Sequence, residues 1–282
     1  MAGGQYVVHT IAPPALPEIG TREDSVLLAD LNQQIDENFK VKVLRGKCLG
    51  MAKQLRGEGG GWVEVIVPPA ADLTEKQESS GGLVSQLKGA KGFGVERLFW
   101  DRSGGQLVAV MWFGGALCGW PGVTHGGAVA TALAEKLSMA AALANASSSN
   151  VLAGATPQRL PGTGNHAKML VPSVVPAEPA QITLTYKKPT YANNFYVLRV
   201  VPALPTEGTP GDMAQADPYG GAEYEATLET LDAQICAKAR ARFAPSTVIQ
   251  RKGKEMELAA KQSYTTFREW MWPSRQQQSQ IR

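Results

Sequence analysis

His125, Gly126 and Gly127 stand at the head of the alanine-rich run AVATALAEKLSMAAALANA and hold the clearest chemical content of the chain. The run has strong helix propensity, and Val129, Leu133, Leu137 and Ala141 recur at a spacing of four, so the triplet falls on the first turn of a helix. Backbone N–H groups there lack intrahelical partners and lie at the positive end of the helix dipole. An acyl carbonyl aimed at them is polarised, and the charge that grows on its oxygen during nucleophilic attack is stabilised. Glycine at 126 and 127 lets the carbonyl approach the backbone with no Cβ in the way. One such donor is worth about 3 kcal/mol in the transition state. His125 can orient the loop or bond a substrate; the plainer alternative is that it caps the helix while the glycines permit close packing.

These residues need a frame. GVERLFW and QLVAVMWF are strand-like runs on either side of Asp101–Gly105, which reads as a hairpin turn. The loop GGALCGWPG leads from them into the helix. Four more strand candidates follow: QITLTYKK, FYVLRVV, EYEATLETL and QICAKARARF. In the last, Ile235, Ala237, Ala239, Ala241 and Phe243 alternate with Cys236, Lys238, Arg240 and Arg242, the pattern of a half-buried antiparallel strand with one wet face. The apolar stripe of the helix must bury itself, and the sheet is the surface available. The expected fold is therefore α+β, an antiparallel sheet wrapped around one long central helix.

Outside this region, Leu27, Leu28, Leu31, Ile35 and Phe39 share a face behind Thr21 or Asp24 as cap. They predict one amphipathic helix over about 24–40. WVEVIVP reads as a short strand, and residues 246–282 as a helical tail. The division is an N-terminal extension over 1–92, a main domain over 93–245 with insertions at 147–179 and 202–221, and the tail over 246–282. His166, in the first insertion, reads as a surface histidine.

The segment LCGWPGVTHGGAVATALAEKL resembles the hallmark of the hotdog-fold acyl-CoA thioesterase superfamily, in the residues Gly119, Pro121, Gly122, His125, Gly126 and Gly127. ITLTYKKPTYANNFYVLRV resembles that family's strand after the helix, and the likeness covers roughly 93–245; the N-terminal part resembles a looser extension associated with fungal members. The resemblance implies a hotdog fold and hydrolysis of an acyl-CoA thioester, with coenzyme A as part of the substrate and no metal or other cofactor. It implies a homodimer or dimer of dimers with a site shared between protomers. Gly126, Gly127 and His125 would form the oxyanion site, and Pro121, Gly122 and Thr131 would line the substrate. Lys187 and Lys188, with Arg199, would meet the phosphates or else be ordinary exposed sheet residues; the same two readings hold for the cations of 238–242.

The family's helix carboxylate, commonly Asp followed by Glu, aligns with Ala134, and Glu135 comes immediately after. Glu135 is turned about 100° from the face shared by Gly127, Thr131, Ala134 and Ser138. Thioester hydrolysis then calls on Glu135 as general base, reaching a site from the side at a subunit interface. The alternative is a hotdog domain that has lost hydrolysis and serves as a binding or structural subunit, docked through its terminal extensions to a larger assembly. Hydration or dehydration of an acyl chain ranks last.

Composition narrows the classes. A net charge of +3, with no basic block outside the tail, argues against nucleic acid. Cys48, Cys118 and Cys236 are scattered and match no zinc or disulfide spacing, which suits a reducing compartment, cytoplasm or mitochondrion. No apolar run of the ~20 residues needed for a membrane span is expected. The opening residues lack a secretory signal and an Arg-rich amphipathic pattern.

Overall fold

A computed structural model describes residues 16–54, 61–66, 87–148, 168–170, 178–203 and 222–244. The tail, His166 and most of both insertions lie outside the described residues. Two helices lead the chain, α1 (Arg22–Glu37) and α2 (Phe39–Gln54). Ten strands follow: β1 (Trp62–Ile66), β2 (Glu96–Asp101), β3 (Gln106–Phe113), β4 (Cys118–Trp120), β5 (Val123–Thr124), β6 (Lys168–Leu170), β7 (Pro179–Tyr186), β8 (Asn194–Pro202), β9 (Glu223–Thr230) and β10 (Ile235–Phe243). The long helix α3 (Gly126–Ser148) lies between β5 and β6.

Eight strands form one sheet in the order β6-β1-β2-β3-β8-β9-β10-β7, while β4 and β5 make a separate hairpin. The sheet is mixed, which corrects the expectation of a purely antiparallel one: β6 runs parallel to β1. β1, from the N-terminal extension, pairs with β2 and so belongs to the main sheet. One long helix on such a sheet fits an α+β hotdog fold.

The sheet has two different faces. α3 buries Val129, Leu133, Leu137 and Ala141 against Leu98, Trp100, Ala109, Met111, Leu198 and Leu228. Each leucine so enclosed contributes about 1.5–3 kcal/mol. On the opposite face, α1 and α2 cover the other alternate residues, Phe99, Val108, Val110 and Val197. Covering both faces explains why β3 reads as an unbroken apolar run from Leu107 to Phe113. β10 lies beyond these helices and keeps its alternation from Ala237 on, with Ala237, Ala239, Ala241 and Phe243 buried and Lys238 and Arg240 exposed, whereas Cys236, expected on the wet face, is buried where the register shifts between Ile235 and Ala237. By length and composition Gly126–Ala146 is apolar enough to cross a membrane, yet here it is the core helix, mostly buried.

The single predicted helix over 24–40 is corrected to two. Thr21 caps α1, its side chain accepting from Asp24 N. The helix ends at Asn38, whose backbone turns extended and whose Oδ1 accepts from Lys40 N at 3.0 Å, starting α2. The apolar face is also narrower than expected: Leu31 and Ile35 are buried, whereas Leu27 and Phe39 are exposed. Val41, Leu44 and Cys48 carry the buried face on into α2. Asp24 itself is buried and accepts from Ala90 N at 2.8 Å, fastening α1 to the approach of β2.

Asp36 clasps three elements. Its carboxylate receives Arg97 Nη2 of β2 at 2.7 Å and Arg45 Nη2 of α2 at 2.6 Å. Partial burial pushes its pKa up, but these two guanidinium groups outweigh that and hold it down at about 2. The native state therefore gains stability above the ordinary value of 3.8 and loses it as pH falls through about 2. Because the carboxylate is 45% exposed, Asp36→Asn is expected to cost only about 1 kcal/mol at neutral pH. Urea unfolding from neutral to acid pH checks this: the gap between wild type and variant should close on acidification, and a pH-independent gap contradicts it.

Candidate active site at the start of the long helix

The hairpin of β4 and β5 turns at Pro121 and Gly122, with Gly122 at a φ of 77° that favours glycine. Backbone bonds stitch it down: Ala192 N donates to Gly122 O at 2.9 Å, Thr124 N to Thr190 O at 2.8 Å and His125 N to Leu117 O at 2.7 Å. Tyr196 supports that frame from below, accepting from Tyr191 N at 2.7 Å and donating to Tyr191 O at 2.8 Å. Burial pushes its phenol up to about 12, so it stays a neutral donor.

At the helix start, His125 Nδ1 accepts from Gly127 N at 2.9 Å. This puts the imidazole in the N-cap role and requires the proton on Nε2. His125 O receives both Ala128 N and Val129 N. The Gly126 N–H makes no hydrogen bond among the described residues, and Gly126 is exposed. In this conformation the open amide of the first turn is that of Gly126, while that of Gly127 is engaged. A Cβ at Gly127 would stand 2.9 Å from His125 Nδ1, and one at Gly119 would stand 2.8 Å from the same ring, so both glycines make room for the imidazole. Tyr186, at the end of β7, donates to Gly126 O at 2.8 Å. Trp120, Tyr186 and Tyr191 are all exposed around this end of the helix.

The other sequence-derived residues are placed as follows. Pro121 and Gly122 are exposed on the hairpin turn, and Thr131 Oγ1 donates to Gly127 O at 2.9 Å. Lys187 and Lys188 are exposed directly after Tyr186, their backbone N–H groups held by Cys236 O. Arg199 is not with them: Leu198 and Val200 face α3, so Arg199 points to the opposite face, where it pairs with Glu229 at 3.3 Å. Arg240 and Arg242 pair with Glu223. Cys48 and Cys236 are buried, and burial pushes the Cys48 thiol up to about 12. Among the described residues, no group of three His, Cys, Asp or Glu side chains is placed to hold a metal ion.

Glu135 sits eight residues beyond Gly127, about 12 Å further along the axis. Within one chain it cannot touch a carbonyl held at Gly126. Its Oε1 pairs with Lys136 Nζ at 3.2 Å, and its Oε2 is buried with no hydrogen-bond partner. Lys136, which drew no attention in the sequence, is completely buried and also meets Glu96 Oε2 at 2.6 Å. Burial alone would lower its pKa, but the charges of Glu96 and Glu135 prevail and raise it. The available signal was a charged EK pair inside an otherwise uncharged helix.

No protein-family model matches the chain, and no curated protein sequence does. Among solved structures, it is similar to a thioesterase superfamily protein at 16% identity, with 82% of this chain and 94% of that one covered and a TM-score of 0.37. The Escherichia coli PaaI protein of the phenylacetic acid degradation operon is similar at 11% identity over 50% of this chain and 76% of that one, TM-score 0.31. A Streptococcus mutans protein bound to acetyl-CoA is similar at 13% over 50% and 82%, TM-score 0.30.

Removal of the cap is expected to be measurable. His125→Ala should lower unfolding stability by about 1 kcal/mol, whereas His125→Asn, a good capping residue, should recover most of it. Equal denaturation midpoints for all three proteins would contradict the capping role.

Proposed function

We propose that the chain is a hotdog thioesterase-like protein that binds acyl-CoA and hydrolyses its thioester, acting as a homodimer or dimer of dimers. The observation that carries this reading is the exposed, unpaired Gly126 N–H at the head of a buried helix, in a loop anchored on both sides. The thioester oxygen would accept from that amide, with the helix dipole behind it. His125 would keep the first turn formed, and Pro121 and Gly122 would rim the site. Release of Gly127 N–H from His125 would supply a second donor. Lys187 and Lys188 lie next in the chain to the tyrosine that touches Gly126, a position suited to the phosphates of coenzyme A.

The base must come from elsewhere than the same helix start, since about 12 Å separates Glu135 from Gly127. Glu135 of a second protomer would accept a proton from water as the water oxygen attacks the carbonyl carbon. The C–S bond then breaks and Glu135 returns the proton to the leaving sulfur, giving the carboxylic acid and the free thiol. Among the described residues β7 is bonded to β10 alone, and its other edge would pair with a second copy. Thr131 is engaged with Gly127 O, which gives it a place in the helix start rather than an activated hydroxyl.

A second reading has its own support. The face through Gly127, Thr131, Ala134 and Ser138 carries no carboxylate, and Glu135 is tied to a buried lysine. Both features suit a domain that binds a thioester without cleaving it, or that serves as a subunit of a larger assembly.

Thiol release from acyl-CoAs of graded chain length separates the two. Hydrolysis predicts turnover in the wild type and a loss of about 100-fold or more in Glu135→Ala with ligand binding retained. Unchanged turnover in the variant removes Glu135 as base. Tight binding without turnover on any chain length favours the second reading.

A further inference from the structure

We infer that Lys136 is a positioning residue for Glu135, anchored to the sheet by Glu96. The inference rests on Glu135 being the base. A fully buried lysine in the middle of an apolar core helix is costly, and a well-packed apolar side chain there would commonly be neutral or stabilising. One carboxylate is enough to balance its charge, and Glu96 at 2.6 Å supplies it. The cluster nevertheless brings a second carboxylate, Glu135, to 3.2 Å, leaving two anions on one cation. It also stops one bond short. Glu135 Oε2 is buried and unpartnered, a state that is unfavourable for an acceptor.

An ion pair selected for stability alone would satisfy both oxygens. Here Oε1 is gripped by a charge-assisted bond and Oε2 is left without a partner, so the pair fixes the orientation of the carboxylate while the side chain stays 24% exposed. The grip is not local to the helix. Glu96 belongs to β2, so Lys136 holds the Glu135 side chain in register with the sheet as well as with α3. The same ammonium freezes a side chain that would otherwise sample several rotamers.

Lys136→Met keeps a similar volume without the charge. The side chains of Glu96 and Glu135 remain 37% and 24% exposed and can turn toward water. The expected result is a fall in kcat of about 10- to 100-fold with KM unchanged, because a displaced base loses alignment and not substrate. Glu96→Gln, which loosens only the anchor, should lower kcat by less and again leave KM alone. Propylammonium added to Lys136→Ala should restore part of the lost kcat, and melting curves show whether each variant folds. If Lys136→Met does not fold, Glu96→Gln and the amine rescue decide the matter. Loss of turnover in Glu135→Ala beside unchanged kcat in folded Lys136→Met and in Glu96→Gln overturns the positioning role and leaves the base in place. A reduced kcat accompanied by an equal change in KM, without amine rescue, also overturns it. Unchanged turnover in Glu135→Ala, or none in the wild type, removes the base and the positioning role together.

Discussion

Burial of the α3 stripe against the inner face of the sheet fixes the geometry on which everything else depends. Val129, Leu133 and Leu137 are packed on the face of β3, β8, β9 and β10, so the helix can neither slide nor rotate without exposing them. The first turn is thereby set at the end of β7, where Tyr186 takes Gly126 O. A donor aimed at a developing charge is useful only if it does not have to move when the charge appears, and the packed helix provides that rigidity.

The same packing imposes a cost on the chemistry. Once the stripe is committed to the sheet, each remaining position on α3 points in a determined direction. Ala134 shares the side of Gly127 but carries no acid. Glu135, one step on, is swung toward the flank, where it meets the buried Lys136, itself paired with Glu96. Donor and carboxylate are thus kept about 12 Å apart along the helix within one chain, so the proposed hydrolysis requires the carboxylate of a second protomer.

Much of this was legible in the sequence. The hairpin around Asp101–Gly105, the alternation in β10 and the glycine-led start of α3 are local signals, set by neighbours a few residues away. What escaped was set by distant partners. β6 is three residues long, and its parallel pairing to β1 depends on a surface that no local pattern encodes. The break at Asn38 was hidden because the apolar period runs through it into Val41 and Leu44. Arg199 looked like a companion to Lys187 and Lys188 until strand alternation turned it to the other face. At the site, the glycines pointed to an anion-accepting helix start, but which amide stays free depends on the rotamer of His125. The burial of Lys136 depends on Glu96, on a different element.

The central claim is that an acyl carbonyl is received at the Gly126 amide. Titrating the 15N-labelled protein with a thioether analogue of acyl-CoA, in which a ketone replaces the thioester carbonyl, tests it most directly by NMR. The account predicts that the Gly126 amide proton moves downfield as the analogue binds, with smaller shifts along the loop at Trp120 and Gly122. Saturable binding that leaves the Gly126 resonance unmoved, with shifts confined to the outer face of β9 and β10, would contradict it.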